Sequence, residues 1–386
     1  MLFKNLLSSW QNWRRFKNLP AELRSVVFFS EGNDYLKYLR PIIDKLINQY
    51  GIKVCYITAD KNDTLYLEAP ENIAVFNISA ESLQILFFES LDADILVMTM
   101  PDLENFHVKR SRNSVHYAYV HHSIVSTHMI YNSNAFDSFD SILCVGPHHV
   151  NEIRQWEKHN NLKPKKLFEH GYAPIDFLFD HMPNKYVPPT EIHKTHVLIA
   201  PSWGPNCLLE SIGETIIRKL LESGCKVTVR PHPRTARFAP KKMSQLRSMF
   251  SQNPKFSMEQ TIESLNSLLS ADIMISDWSG VALEFAFGLE RPVLFIDVPA
   301  KINNPRFNQI EAIPIEVTIR EKIGVILKPK NIGNITKTLS GLLGKHEVIV
   351  KSIRACRSEA VYNIGKSSLS GAEIINTLYK KIKSKH

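Results

Sequence analysis

Ser270-Ala271-Asp272-Ile273-Met274-Ile275-Ser276-Asp277-Trp278-Ser279-Gly280-Val281-Ala282-Leu283-Glu284, closed by Arg291-Pro292-Val293-Leu294-Phe295, reads as strand, tight polar loop, helix and strand. Ile273 to Ile275 is the short apolar run of a strand covered on both faces, as in a parallel sheet. Ser276, Asp277 and Ser279 are residue types that cap helices, because their side-chain oxygens accept from the N–H groups that a helix start leaves unpaired. Gly280 removes a side chain where a ligand would approach the backbone. Free N–H groups at a helix start beside a parallel sheet make a seat for phosphate. An ordinary capped turn reads the same way, so the stretch needs support from the rest of the chain.

Support comes from upstream, where the strand Lys226-Val227-Thr228-Val229 empties into Arg230-Pro231-His232-Pro233-Arg234. The prolines fix the backbone and hold a guanidinium and an imidazole at the carboxyl end of that strand, where open α/β sheets bind ligands. Arginine offers a planar fork to phosphate oxygens, and histidine can donate to a bridging or leaving oxygen.

The same alternation extends in both directions. Strands are predicted over Ser25–Ser30, Lys53–Thr58, Ile73–Asn77, Ile95–Thr99, Tyr117–His121 and Ser141–Val145, with helices over Tyr35–Tyr50, Ser79–Glu89 and His148–Lys158. Pro183 to Thr190 holds three prolines and no periodicity, and reads as a linker. The cycle then restarts with strands Val197–Ala200, Lys226–Arg230, Ile273–Ser276 and Pro292–Asp297 and helices Leu208–Ser223, Thr261–Ser270 and Val281–Gly288. The expectation is an α/β protein of two Rossmann-like units facing a cleft, over residues 21–185 and 190–350, with a helical segment, 351–386, packing back across them.

Composition agrees with that architecture and narrows the partners. At 386 residues, 44% hydrophobic and 22% charged, the chain is globular in type and long enough for two cores. Cys55, Cys144, Cys207, Cys225 and Cys356 form no CxxC pair and no metal spacing, which points to reduced, buried thiols. A net charge of +9 favours an anionic partner, yet no basic motif interleaved with aromatics is present, which argues against nucleic acid. No run of eighteen or more apolar residues spans a bilayer.

Residues 1–20 stand apart. Leu2, Phe3, Leu6, Leu7, Trp10, Trp13 and Phe16 recur near helical spacing, while Lys4, Arg14, Arg15 and Lys17 supply only positive charge. This is the pattern of an amphipathic helix lying on an anionic membrane surface, or of a helix docked on the protein's own core. The charges follow the apolar residues and no small-residue cleavage site appears, unlike a secretory leader. Lys380, Lys381, Lys383 and Lys385 read as a solvated tail.

The densest chemistry of the first unit is Tyr119-Val120-His121-His122-Ser123-Ile124-Val125-Ser126-Thr127-His128, with His121 and His122 at a strand end. A histidine there is the natural general base near neutral pH, and either of the pair can fill the role. Metal binding is the competing idea for these histidines, and with no carboxylate-rich or cysteine-rich set nearby it is the weaker one.

In this order the motifs resemble the CDP-glycerol glycerophosphotransferases, which build teichoic-acid-like polymers and phosphoglycerol-bearing capsules. The likeness runs through His121-His122-Ser123, Phe139 to Gly146, Gly171-Tyr172-Ala173-Pro174-Ile175-Asp176, Val197 to Trp203, Arg230-Pro231-His232-Pro233, Ser276 to Gly280, and Gly365-Lys366-Ser367-Ser368. It implies a GT-B architecture with the acceptor on the N-terminal unit and CDP-glycerol, or a related CDP-polyol, on the C-terminal one. A histidine of the His121-His122 pair would deprotonate a hydroxyl of a glycan or polyol-phosphate acceptor. His232 and Arg230 would face the pyrophosphate, with Ser276, Asp277, Ser279, Gly280, Ser367 and Ser368 around the phosphates and CMP leaving. The resemblance also implies an enzyme with no obligatory metal and no cofactor, its helix N-terminus and basic side chains serving instead, cytoplasmic, bacterial and held peripherally at the inner face of the cell membrane. The chain departs from the family in showing His121-His122-Ser123 where His-Gly is usual. The alternative is a GT-B glycosyltransferase or sugar-nucleotide epimerase acting on a UDP- or GDP-sugar, in which Glu284 would hold ribose hydroxyls.

Overall fold

The computed structural model describes residues 2–106, 108–183, 186–260 and 265–384. The apolar runs form β1 (Val26–Ser30), β2 (Val54–Thr58), β3 (Ile73–Asn77), β4 (Ile95–Met98), β5 (His116–Val120), β6 (Ser141–Cys144) and β7 (Lys166–Glu169). After Thr195 come β8 (His196–Ile199), β9 (Lys226–Val229), β10 (Phe256–Met258), β11 (Ile273–Ser276), β12 (Val293–Ile296) and β13 (Gly324–Leu327). The first seven make one sheet in the order β3-β2-β1-β4-β5-β6-β7 and the rest a second in the order β10-β9-β8-β11-β12-β13. Every pairing is parallel, Ile275 lying opposite Ile199 and Val27 opposite both Cys55 and Leu96. The expected two-sheet α/β architecture is therefore present.

Each sheet grows outward from its first strand on one side and then jumps to the other. The strand order thus reverses between β1 and β4 and again between β8 and β11. At such a point the loops diverge and leave a crevice at the carboxyl ends of the strands. The four edge strands are the least buried, and β7, β10 and β13, none of them expected, are half-exposed.

The two sheets are locked together by helices. Ala173–Asp180, which follows the first sheet, crosses Gly280–Leu289, which follows β11, so closely that a Cβ on Gly288 would sit 2.5 Å from Leu178 Cβ. Leu178, Ile175 and Tyr172 of the first unit share one core with Ala282, Leu283 and Phe285 of the second. Late in the chain, Ser367–Lys383 returns to the first sheet and lays Ala372, Ile375 and Leu378 on Leu39, Ile42 and Leu46 of the helix Asn33–Tyr50.

Some expectations need correction. The helix expected over Leu208–Ser223 is two, Leu208–Ser211 and Gly213–Glu222, because Ile212 leaves helical geometry at φ −125°, ψ 10°. Of the helix expected from Thr261, positions 261–264 lie outside the described residues and Asn266–Ser270 is helical. Positions 184 and 185 of the linker and Lys385 also lie outside them.

Leu2–Lys17 is a helix, and the side chains of Leu2, Phe3 and Lys4 lie outside what is described. Phe16 is buried edge-on against Phe76 and Phe87, and Ser9 Oγ accepts from the N–H groups of Ser79 and Ala80. Leu6, Leu7 and Trp10 stay 41%, 48% and 41% exposed, and Arg14 lies over the Trp10 ring. The apolar stripe is thus divided between the protein's own core and its surface.

Candidate active site

A cleft of about 1620 Å³ runs between the carboxyl ends of the two sheets. From the first sheet it receives the loops after β1, β4 and β5; from the second, those after β8, β9 and β11, with Lys301 from beyond β12.

Consecutive residues leaving a strand point to opposite sides, and this separates the two candidate bases. His122 faces the cleft, whereas His121 is 1% exposed, turns inward and has its ring 3.9 Å from that of His149. Both His121 nitrogens are buried without a hydrogen-bond partner, and burial holds its pKa well below the usual histidine range. As a candidate for direct contact with a ligand in the cleft, His121 is corrected to a core residue. His122 Nδ1 lies 2.8 Å from the Thr99 carbonyl oxygen, which can only accept, so Nδ1 carries the proton and Nε2 the lone pair. The Tyr131 hydroxyl lies 3.3 Å from Nε2, and the Tyr35 and Tyr38 rings meet the imidazole at a steep angle. Burial pulls the His122 pKa down to about 4 against the raising effect of the Thr99 hydrogen bond, with Lys37 and Arg234 pulling the same way as burial. The ring is neutral at cellular pH and able to take a proton.

The loop carrying His122 is braced from both units. His148 and His149 hold the Ile124 and Val125 carbonyls at 2.8 and 3.0 Å, and Thr127 N–H and Oγ donate to Glu152 at 2.6 Å. Glu316, from the second unit, accepts from Ser126 N–H and Oγ at 2.9 and 2.7 Å.

On the facing wall His232 caps the helix Pro233–Phe238, its Nδ1 accepting from the Arg234 N–H at 3.1 Å. Its proton is therefore on Nε2, the free nitrogen. Burial, then Lys301 and Arg234, lower its pKa to about 4, so it is a neutral donor. Arg230 is buried and ion-paired to Glu259 at 2.6 Å. Arg234 and Lys301 lie over the Trp203 ring at 4.7 and 3.9 Å. Burial lowers the Lys301 pKa to about 8, offset in part by Cys207 and Asp277 and reinforced by Arg234.

Ser279 and Gly280 open the helix Gly280–Leu289 onto the cleft, and Ser279 makes no side-chain bond to the helix it caps. A Cβ on Gly280 would lie 3.4 Å from Val125 and 3.5 Å from Ser123 Oγ, so this helix start stands within a methyl group's reach of the loop bearing His122. Glu284, a turn further on, accepts from the Tyr172 hydroxyl at 2.8 Å, tying the two units at the cleft floor.

Other predicted phosphate ligands sit elsewhere. Asp277 is 1% exposed and accepts from the N–H groups of Ser202, Leu208 and Trp278, clamping the β8 and β11 loops to each other. Ser276 Oγ donates to the Ala200 carbonyl at 2.7 Å. Ser367 and Ser368 do not line the cleft: Asp176 accepts from the Gly365 and Ser367 N–H groups at 2.7 and 2.8 Å and from Ser367 Oγ, fixing the start of the Ser367–Lys383 helix. These residues hold the scaffold because an ionised carboxylate can only accept, and a hydroxyl whose proton goes to a carbonyl or carboxylate has no donor left for a phosphate oxygen.

Sequence reasoning missed Lys301 and Glu31. Lys301 carries no local signal; Glu31 leaves β1 at the strand-order reversal, which only the sheet order discloses. Among the described residues no three His, Cys, Asp or Glu side chains gather as a metal cage would, and no helix is long and apolar enough to cross a membrane.

A family model described as CDP-glycerol:poly(glycerophosphate) glycerophosphotransferase matches residues 13–299. Among solved structures, the wall teichoic acid polymerase TagF, in a crystal soaked with CDPG, is 14% identical with a TM-score of 0.60 over 98% of each chain. A putative UDP-N-acetylglucosamine 2-epimerase from Listeria monocytogenes is 13% identical with a TM-score of 0.60, over 94% of this chain and 97% of that one. The UDP-GlcNAc 2-epimerase from Methanocaldococcus jannaschii is 13% identical with a TM-score of 0.56, over 92% and 99%. At such identities these structures share the two-sheet GT-B fold. No curated protein sequence matches.

Proposed function

From the premise that the chain belongs to the CDP-glycerol:poly(glycerophosphate) glycerophosphotransferase family, we propose that His122 is the general base of glycerol phosphate transfer to a hydroxyl of a cell-surface glycan or polymer. The observation that carries this reading is the close approach of Gly280 to the His122 loop, which sets a helix N-terminus near a neutral imidazole whose Nε2 carries the lone pair, 3.3 Å from the Tyr131 hydroxyl.

The acceptor oxygen gives its proton to His122 Nε2 and attacks the phosphorus that bears glycerol. The bond from that phosphorus to the bridging oxygen breaks, and CMP leaves with the electron pair. Negative charge grows on the equatorial and bridging oxygens, where fixed donors lower the barrier most. Support for these roles comes from the His232 Nε2–H, the Lys301 and Arg234 cations, and the N–H groups that open Gly280–Leu289. Arg230, oriented by Glu259, adds charge at the back of the same wall. Residues 21–185 form the acceptor unit in this reading and 190–350 the donor unit.

Peripheral attachment to an anionic membrane surface belongs to the same proposal. It is supported by the exposed Leu6, Leu7 and Trp10 beside Arg14, the side of the first helix that the core does not use.

The test is nucleotide release from CDP-glycerol, CDP-ribitol and UDP- and GDP-sugars, each with a bacterial glycan acceptor. CMP release from a CDP-polyol, lost in His122→Asn, is the expected result. UDP or GDP release with CDP-polyols inert would sink the reading.

A further inference from the structure

Glu31 is the first residue after β1, at the place where the first sheet's strand order reverses. Ligands of open parallel sheets bind at such crevices. In the second sheet the corresponding crevice, between β8 and β11, is closed at its base by Asp277. In the first sheet it is lined by Glu31, and one carboxylate oxygen there is buried with no hydrogen-bond partner. Buried acceptors are almost always paired, and an unpaired one at the floor of an open cleft calls for a donor from outside the protein. Burial pushes the Glu31 pKa up to about 7, with Arg234 of the opposite wall pulling it down. Tyr35, whose ring meets that of His122 at 5.4 Å, feels the Glu31 charge, so the carboxylate and the base share one corner of the cleft.

The charge of this wall also bears on what it can hold. Asp34, Glu81 and Asp102 line the same side, and Arg40 is paired to Asp44 and Glu68. Lys37 leans over the Tyr38 ring and faces Glu284. Among the described cations that line the cleft, Arg234 and Lys301 stand on the donor wall, and Lys37 is set against the three carboxylates of this one.

Resting on the transfer reading above, we propose that Glu31 selects the acceptor, accepting a hydrogen bond from a hydroxyl adjacent to the one that His122 deprotonates, so that the acceptor terminus is an uncharged, polyhydroxylated glycan. A chain ending in glycerol phosphate would bring its last phosphate against this carboxylate and is a poor acceptor. The reaction is then the placing of a first phosphoglycerol on a sugar rather than the lengthening of a polyanion.

The experiment compares wild type, Glu31→Gln and Glu31→Ala, with CDP-glycerol affinity measured first by calorimetry as a check on folding and on the donor site. CMP release is then followed with a panel of neutral alkyl mono- and disaccharides and with the same glycosides carrying a terminal glycerol phosphate. The expected result is wild-type turnover of the neutral glycosides at least tenfold above the phosphate-ended ones. In Glu31→Gln the acceptor KM rises at least tenfold, CDP-glycerol affinity stays within twofold, and the preference against the phosphate-ended acceptors narrows. Wild-type turnover confined to phosphate-ended acceptors, or a Glu31→Gln profile equal to that of the wild type, overturns the proposal alone. Failure of the wild type to bind CDP-glycerol overturns the transfer reading and this proposal with it.

Discussion

His122 and His232 face each other's walls of the cleft as opposite tautomers, the first with its proton on Nδ1 against the Thr99 carbonyl, the second with its proton on Nε2 because Arg234 N–H occupies Nδ1. One ring can accept and the other can donate, without either being charged. Replacing His122 by Asn is expected to lower kcat by about 10²–10⁴, the usual share of a general base. His121→Phe, which fills a buried site among Tyr119, Phe136 and His149, should keep activity within a few-fold. Steady-state CMP release decides the matter; a His121→Phe enzyme as dead as His122→Asn would reverse the assignment.

His232 has two jobs, which two substitutions separate. Asparagine can still accept from the Arg234 N–H and offer an amide donor to the cleft; alanine does neither. His232→Ala should lose about 10²–10³ in kcat, the measure of one oxyanion donor, and His232→Asn clearly less. Equal losses in both variants would show that the cap and the donor are not what matters at this position.

Acid should destabilise the fold through its histidines. His122, His170 and His232 are lowered to about 4, and His121 and His149 lie well below the ordinary value, in each case mainly through burial. Their folded values are below the unfolded one, near 6.5, so as pH falls the unfolded chain takes up protons first. Stability is full above about pH 6.5 and drains away toward pH 4, while Glu31, raised to about 7, acts in the opposite sense. Melting temperatures at pH 7.5, 6 and 5 should fall in that order, and less steeply for His121→Phe. A flat profile from 7.5 to 5 contradicts the buried neutral state of these rings.

Two glycines on one helix give opposite expectations. Gly288→Ala drives a methyl into Leu178, 2.5 Å away, and should cost about 1–3 kcal/mol of stability as the two units are pried apart. At Gly280 a methyl finds ordinary contacts at 3.4 Å and beyond, so the variant should melt like the wild type. It should nonetheless bind CDP-glycerol more weakly, since the methyl narrows the approach to the helix start. Unchanged affinity in Gly280→Ala would remove the phosphate from this position.

The interior of the fold was readable because parallel strands covered on both faces write unbroken apolar runs, such as Val26 to Phe29 and Ile273 to Ile275. The half-exposed edges β7 and β10 write no such run and escaped, and the apolar Val325 to Leu327 of β13 went unread. His122 and His232 could be found because both stand on loops at strand ends; choosing between His121 and His122 required knowing which side of β5 faces the second sheet. Glu31 stayed hidden for the same kind of reason: its meaning comes from β1 lying next to β4. Asp277 and Ser367 have residue types found around phosphates, and only their partners, the Ser202 and Leu208 N–H groups and Asp176, show that they brace the scaffold.

The helix Ser367–Lys383, which covers Leu39, Ile42 and Leu46 and is pinned by Asp176, sets an order of events during biosynthesis. The first sheet leaves the ribosome early, yet its outer helix keeps a greasy side bare until the whole second sheet has been translated and the late helix arrives to cover it. The nascent protein therefore carries a sticky half-product through most of its synthesis, a natural client for chaperones. Ribosomes halted before Ser367 should hold a first unit that proteases cut readily, and release of the remaining residues should close it.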